Sequence, residues 1–206
     1  MKSIMSYATK KMGDDFISPN KISEIYKEKY TKGDLRKLVD TLPSKEIIDY
    51  LHEKNFILIA SPWKTMNCND VVRINYSNIF PICRFYENNF LKETIESAFW
   101  IAIQKAVINS TLYFEHFLSE EKIPSATEAL WAFSVYAEIN GTERKESYFF
   151  EPFLTSTIDV DDEGKKNEVV IFQSNGKIAF GNTLDFIDRK NKIGLLLKQP
   201  LKRPSI

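Results

Sequence analysis

Apolar positions recur along this chain with two different periods, and the change between them falls near its middle. Over residues 18–54 the spacing is helical. Ile22, Ile25 and Tyr26, then Leu35, Leu38 and Val39, then Ile47, Ile48 and Leu51 form three short stripes of the kind that gathers on one helix face. Ser18 and Ser44 stand where helices should open, because a serine hydroxyl can accept from the first free backbone N–H groups, and Pro19 at N1 lacks an N–H that would have no partner. Gly33 interrupts between the first two stripes. The third helix should end near Asn55, and Phe56–Ala60, FILIA, follows as a compact strand closed by Ser61-Pro62. The first fifteen residues show no period, so residues 1–17 are predicted to be a loose arm. Residues 61–98 carry short apolar pieces punctuated by asparagines, with Pro81 splitting Ile79-Phe80 from Ile82, and predict loops with brief helical or extended segments.

The densest apolar run is Phe99–Ile108, polar only at Gln104 and Lys105, and it predicts a strand covered on both faces at the centre of a sheet. Asn109-Ser110-Thr111 stop it. Two helices should follow. The first, near 111–119, presents Leu112, Phe114, Phe117 and Leu118. The second opens at Pro124-Ser125, where Glu128 stands three residues on and completes a capping box, and runs to Ile139 with Gly141 as its left-handed stop. The last third switches to period two. Phe153–Val160, Glu168–Gln173, Lys177–Gly181 and Ile193–Lys198 read as strands, and Asn175-Gly176 is a type I′ hairpin signal, since that turn needs positive φ at both central residues. Helices first and strands later give an α+β fold: N-terminal helices, then an antiparallel sheet backed by the 111–139 helix pair. No repeat or low-complexity tract divides the chain, so residues 1–206 are expected to form a single domain, with the 18–54 helices docked on a 55–198 core. Each N-terminal stripe is too narrow for an independent core, and the third helix runs into the FILIA strand after a single Asn.

Composition narrows the function classes. Of 206 residues 43% are hydrophobic and 15 are Phe, enough for a packed core. The 28 basic and 28 acidic residues cancel, which disfavours non-specific polyanion binding, because Lys and Arg are needed to displace counterions from phosphates, although a local basic patch is still open to such a chain. Nucleic acid is therefore not an expected partner. Cys68 and Cys83 are expected to be buried free thiols. No apolar stretch follows Met1-Lys2 and no run approaches the roughly twenty apolar residues of a membrane span, so no membrane association is expected and the expected location is cytoplasmic. The sequons at Asn75, Asn109 and Asn140 are then chance matches, since glycosylation requires secretion.

Candidate chemistry is sparse. Asp159, Asp161, Asp162 and Glu163 before Gly164 resemble the start of a calcium loop, but position 12 is Val170 where a bidentate carboxylate is needed, so an acidic hairpin tip is the better reading. Asp49, His52 and Glu53 share one helix but make too few ligands for a metal, and no metal or cofactor is expected. Cys83 with His116 could form a nucleophile–base pair on composition alone, but no nucleophile elbow is present, and 7 Gly leave no phosphate-cradling loop. Trp100 and Trp131 are expected in the core. Lys105, Asn109 and Ser110, polar residues where the strongest strand feeds a loop, are the candidate binding site; the plainer reading is turn chemistry with a solvent-reaching lysine.

Three pieces carry a family resemblance: L-P-S-x-E-x-I-x-x-L-x-x-x-x-F-x-L at Leu42–Leu58 with Pro62 and Met66; W-x-x-I-x-K-x-x-x-N-S-T at Trp100–Thr111 with I-P-S-A at Ile123–Ala126; and Val169–Gly181 with I-G-L at Ile193–Leu195. In this order they resemble a family of uncharacterised bacterial proteins, from which the chain departs at Gln104, where Arg is usual, and at Val107-Ile108, where Val-Pro is usual. The resemblance implies one domain of shared motif order and no reaction type. The Lys-, Asn- and Ile-rich composition suits an AT-rich bacterial genome or its phage, which would add the virion as a location. The expected function is a non-enzymatic binding or assembly module whose partner is a protein, self or other. The alternative is a small enzyme with a dispersed active site.

Overall fold

The computed structural model describes residues 2–77, 79–81, 89–105, 108–109, 123–140, 153–160, 164, 166–174, 177–182, 194–195 and 201. The chain is α+β. It opens with α1 (Lys2–Met12), a 3-10 turn over Gly13–Asp15 and β1 (Phe16–Ile17), then α2 (Pro19–Tyr26), α3 (Lys32–Asp40), α4 (Lys45–Glu53) and β2 (Phe56–Ala60). Serine caps form where the sequence places them: Ser18 accepts from Lys21 N at 3.3 Å and Ser44 from Ile47 N at 3.5 Å. Thr31 caps α3 by the same chemistry. Asn55, with φ of 63°, makes the left-handed link from α4 into β2, a conformation that Asn tolerates better than most side chains.

The loose arm of residues 1–17 is corrected. Ile4, Met5, Ala8 and Met12 are spaced as one helix face, and Ala8 and Met12 are buried in the core. Phe16 and Ile17 then pair in parallel with Leu58 and Ile59. The arm is thereby the outer strand of a three-stranded sheet of order β1-β2-β6, where β6 is Trp100–Gln104.

That sheet also corrects the expected 99–108 strand. Trp100 is buried, as expected, but β6 lies on the outside of this sheet and β2 is its centre. The strand ends at Gln104, opposite Phe56, and one more backbone bond follows, from Lys105 N to Asn55 O at 2.9 Å. Beyond it, Ile108–Asn109 form β7 of another sheet. One apolar run therefore serves two sheets.

Between residues 61 and 98 the chain forms β3 (Met66–Asn67), α5 (Cys68–Ile74), β4 (Ile79–Pro81), a 3-10 turn over Asn89–Lys92 and β5 (Thr94–Ile95). After α6 (Ala126–Asn140) come β8 (Phe153–Val160), β9 (Lys166–Ser174), β10 (Lys177–Asn182) and β11 (Gly194–Leu195). Among the described residues these build a six-stranded sheet of order β4-β10-β9-β8-β11-β7 and a small β3-β5 pair. The β9–β10 pairing is antiparallel as predicted and begins at Ser174 opposite Lys177, while Asn175-Gly176 lies outside the described residues. The sheet is mixed rather than antiparallel throughout, since β4 runs parallel to β10 and β11 to β8.

The predicted second helix is present as α6, with its capping box: Ser125 N donates to Glu128 Oε2 at 3.0 Å and Glu128 N to Ser125 Oγ at 3.2 Å. It does not back a sheet with one face. Every residue from Ala126 to Ala137 is buried, because α6 contacts α2, α5, β5 and β6 as well as β8, β9 and β10. The predicted 111–119 helix, and with it the helix pair, lies outside the described residues.

Candidate functional site

The Lys105, Asn109 and Ser110 cluster is not assembled as a solvent-facing site. Lys105 is 6% exposed, and its Nζ donates to Asp15 Oδ2 at 2.7 Å. The other carboxylate oxygen of Asp15 accepts from Tyr136 Oη at 3.2 Å, and the Tyr136 ring centroid is 6.0 Å from the ammonium. A buried ammonium needs such partners, since its hydration is lost. Lys105 is thus an internal tie between the N-terminal segment and α6, not a lysine reaching solvent. Asn109 sits in β7 opposite Gly194, and Ser110 lies outside the described residues.

A second polar cluster surrounds the α6 N-terminus, where sequence reasoning placed only the capping box. Glu93 Oε2 accepts from Thr157 Oγ1 at 2.7 Å and from Thr127 Oγ1 at 3.1 Å, with Thr127 N at 3.4 Å. Thr157 Oγ1 in turn accepts from Ala126 N at 2.7 Å. A carboxylate here answers both the free N–H groups and the positive end of the helix dipole. Beside it lies a cavity of about 220 Å3 lined by Glu93, Glu96, Glu128, Ser125, Phe99 and Ile95, among others. Glu93 is 34 and 64 residues from its threonine partners, so no local pattern announces it.

Cys68 opens α5 and is buried. Burial, with Glu93 nearby, pushes its thiol from 9.0 up to about 12, which keeps it neutral and a poor nucleophile. The Cys68 peptide should therefore resist alkylation at pH 8 in the folded protein and react on denaturation, as peptide mapping by mass spectrometry would report. Burial also raises Tyr26 and Tyr30 above the usual tyrosine value. All three groups favour the protonated form in the fold. Their contribution to stability is whole below the unfolded values and lost as pH rises, so thermal melts should fall progressively from about pH 9 towards 12.

The remaining candidates resolve simply. Trp100 and Trp131 are core residues whose Nε1 groups donate to Leu38 O at 2.7 Å and Ala60 O at 3.0 Å. Asp49 accepts from Tyr7 Oη at 2.6 Å and pairs with Lys11 at 3.3 Å, and these partners hold its carboxyl below the usual range. His116 and Cys83 lie outside the described residues. Among the described residues no three of His, Cys, Asp and Glu gather to hold a metal ion, and no helix is long and apolar enough to cross a membrane. Asn75 is buried, its Nδ2 donating to Val71 O at 2.9 Å and its Oδ1 accepting from Tyr26, so this sequon is closed to glycosylation in the fold.

The outer face of α4 is different in kind. Ile48 and Leu51 are fully buried on its inner face. Ile47 and Tyr50, which helical spacing puts side by side on the outside, are 40% and 45% exposed. Charged Glu46, Glu53 and Lys54 flank them, all exposed. The apolar stripe predicts Ile47 on one face with Ile48 and Leu51; consecutive helical residues are about 100° apart, and here the pair is split. Tyr50 is fixed from behind by Phe56, whose ring centroid is 6.3 Å away.

No protein-family model, curated protein or solved structure matches the chain.

Proposed function

We propose that this chain is a non-enzymatic binding module that docks another protein through the outer face of α4. The observation that carries this reading is the exposed Ile47–Tyr50 pair on a helix whose opposite face is fully buried. Single exposed apolar residues are common and carry no meaning, but an aliphatic and an aromatic neighbour with a charged surround have the make-up of an interface anchor with its polar rim. Among the described residues, three groups an enzyme could draw on are engaged in the fold. Cys68 is held as a neutral thiol, Lys105 is engaged with Asp15, and Glu93 caps α6. Among the described residues, the cavity beside Ser125 has about 220 Å3, short of the roughly 300–1,000 Å3 usual for ligand pockets. Net charge of zero argues for a protein partner over a polyanion.

A photo-cross-linking residue at position 47, introduced in the cell that makes the protein, tests this. One defined cross-linked protein product is expected from position 47 and none from position 64, an exposed control on another segment. Equal labelling at both positions, or none at either, would sink the reading.

A further inference from the structure

We infer that the partner on the α4 face is a second copy of this chain, docked antiparallel on the same face; the inference rests on the reading of that face as a protein-binding surface. Glu46, Tyr50 and Lys54 are spaced four residues apart, so they form one row along the helix, with Lys54 at its C-cap. All three are exposed. The row reads negative, aromatic, positive. Such a row is complementary to itself when reversed: turning one copy about Tyr50 sets each Glu46 against the other copy's Lys54 and brings the two tyrosines together at the two-fold axis. This is the arrangement an isologous dimer requires. A parallel arrangement in register would set like charges together.

Glu46 accepts from the Ser44 side chain at the start of α4, and its exposed carboxylate keeps further acceptor capacity for a partner. Lys54 holds Glu53 at 3.3 Å, but their side chains are 51% and 73% exposed, and such a pair is readily exchanged. Asp49 faces away, towards Tyr7 and Lys11 of α1. Lys45 lies over the Tyr7 ring, its Nζ 5.2 Å from the centroid, and also belongs to the α1 side. One helix against one helix is a small interface, at the low end for specific complexes, so the dimer should be weak and depend on concentration.

Sedimentation velocity of the full chain from about 10 μM to 1 mM should show a reversible monomer–dimer equilibrium. Glu46→Lys and Lys54→Glu should each weaken it about tenfold, because each puts two like-charge pairs across the axis. The double variant E46K/K54E reverses the whole row, is again self-complementary, and should return to within about threefold of wild type. Tyr50→Asp should leave only monomer. Circular dichroism confirms that each variant is folded before its association is read. A wild-type chain that stays monomeric throughout, or a double variant no better than the singles, overturns the inference. The cross-linker at position 47 separates the two failures. A monomeric pure chain that still gives a defined product with another protein in the cell removes the second copy and keeps the binding module. No product in either setting removes both.

Discussion

Asp15→Ala should lower the unfolding free energy by about 3–5 kcal/mol, the cost of leaving one member of a buried ion pair behind. The Lys105 side chain is 8% exposed and that of Asp15 19%, so solvent does little to replace the lost carboxylate. The same substitution takes away the acceptor of the Tyr136 hydroxyl. The double variant Asp15→Ala with Lys105→Met should recover most of the loss, because an apolar side chain in that space has no charge to satisfy. Urea unfolding with unchanged m-values would read both. If residues 1–17 were a loose arm, the single variant would be neutral; a loss under about 1 kcal/mol, the scale of an exposed pair, would discard the buried tie.

That tie shows which kinds of structure the sequence reveals. α2, α4 and α6 are legible because each brings a local start signal with it: Ser18-Pro19, Pro43-Ser44 and Ser125 with Glu128. The β9–β10 pairing is legible because a two-residue turn fixes register without help from elsewhere. α1 carries its period only in Ile4, Met5, Ala8 and Met12, and the small Ala8 and polar Lys10-Lys11 hide it. α5 hides among asparagines, although Asn67 and Asp70 form a reciprocal capping box, each side chain bonded to the other's backbone.

The candidate sites were harder to read, and for a different reason. Lys105 and Asp15 are 90 residues apart, and Glu93 meets Thr157 across 64. Side-chain partners at such separations are chosen by packing, which periodicity does not encode. A lysine at a strand end predicts a side chain reaching solvent, yet Lys105 is buried against Asp15. Ile47 erred in the opposite direction. Beside Ile48 it looks like core, and only the rotation between consecutive helical residues puts it outside.

Trp131→Ala should be the most damaging single change, at about 3–5 kcal/mol for the emptied volume alone. Trp131 is fully buried at the middle of α6, the helix that contacts both larger sheets. Its ring stacks on Tyr26 with centroids 5.6 Å apart and meets Trp63 edge-on at 6.1 Å. Its Nε1 is the donor to Ala60 O, the last residue of β2, so the side chain also ties helix to sheet. Removing it costs the transfer of a large aromatic surface, the aromatic contacts and a buried hydrogen bond together. Against a total stability of about 5–15 kcal/mol, the variant should melt tens of degrees lower or fail to fold at growth temperature. Trp131→Phe keeps a ring in place and discards the N–H, so it should lose less than Trp131→Ala, about 1–3 kcal/mol, and stay folded. Thermal and urea unfolding of the two variants give the contrast. Equal losses in both would put the stabilisation in the hydrogen bond, and a loss under about 1 kcal/mol in Trp131→Ala would contradict the burial of Trp131 in the core.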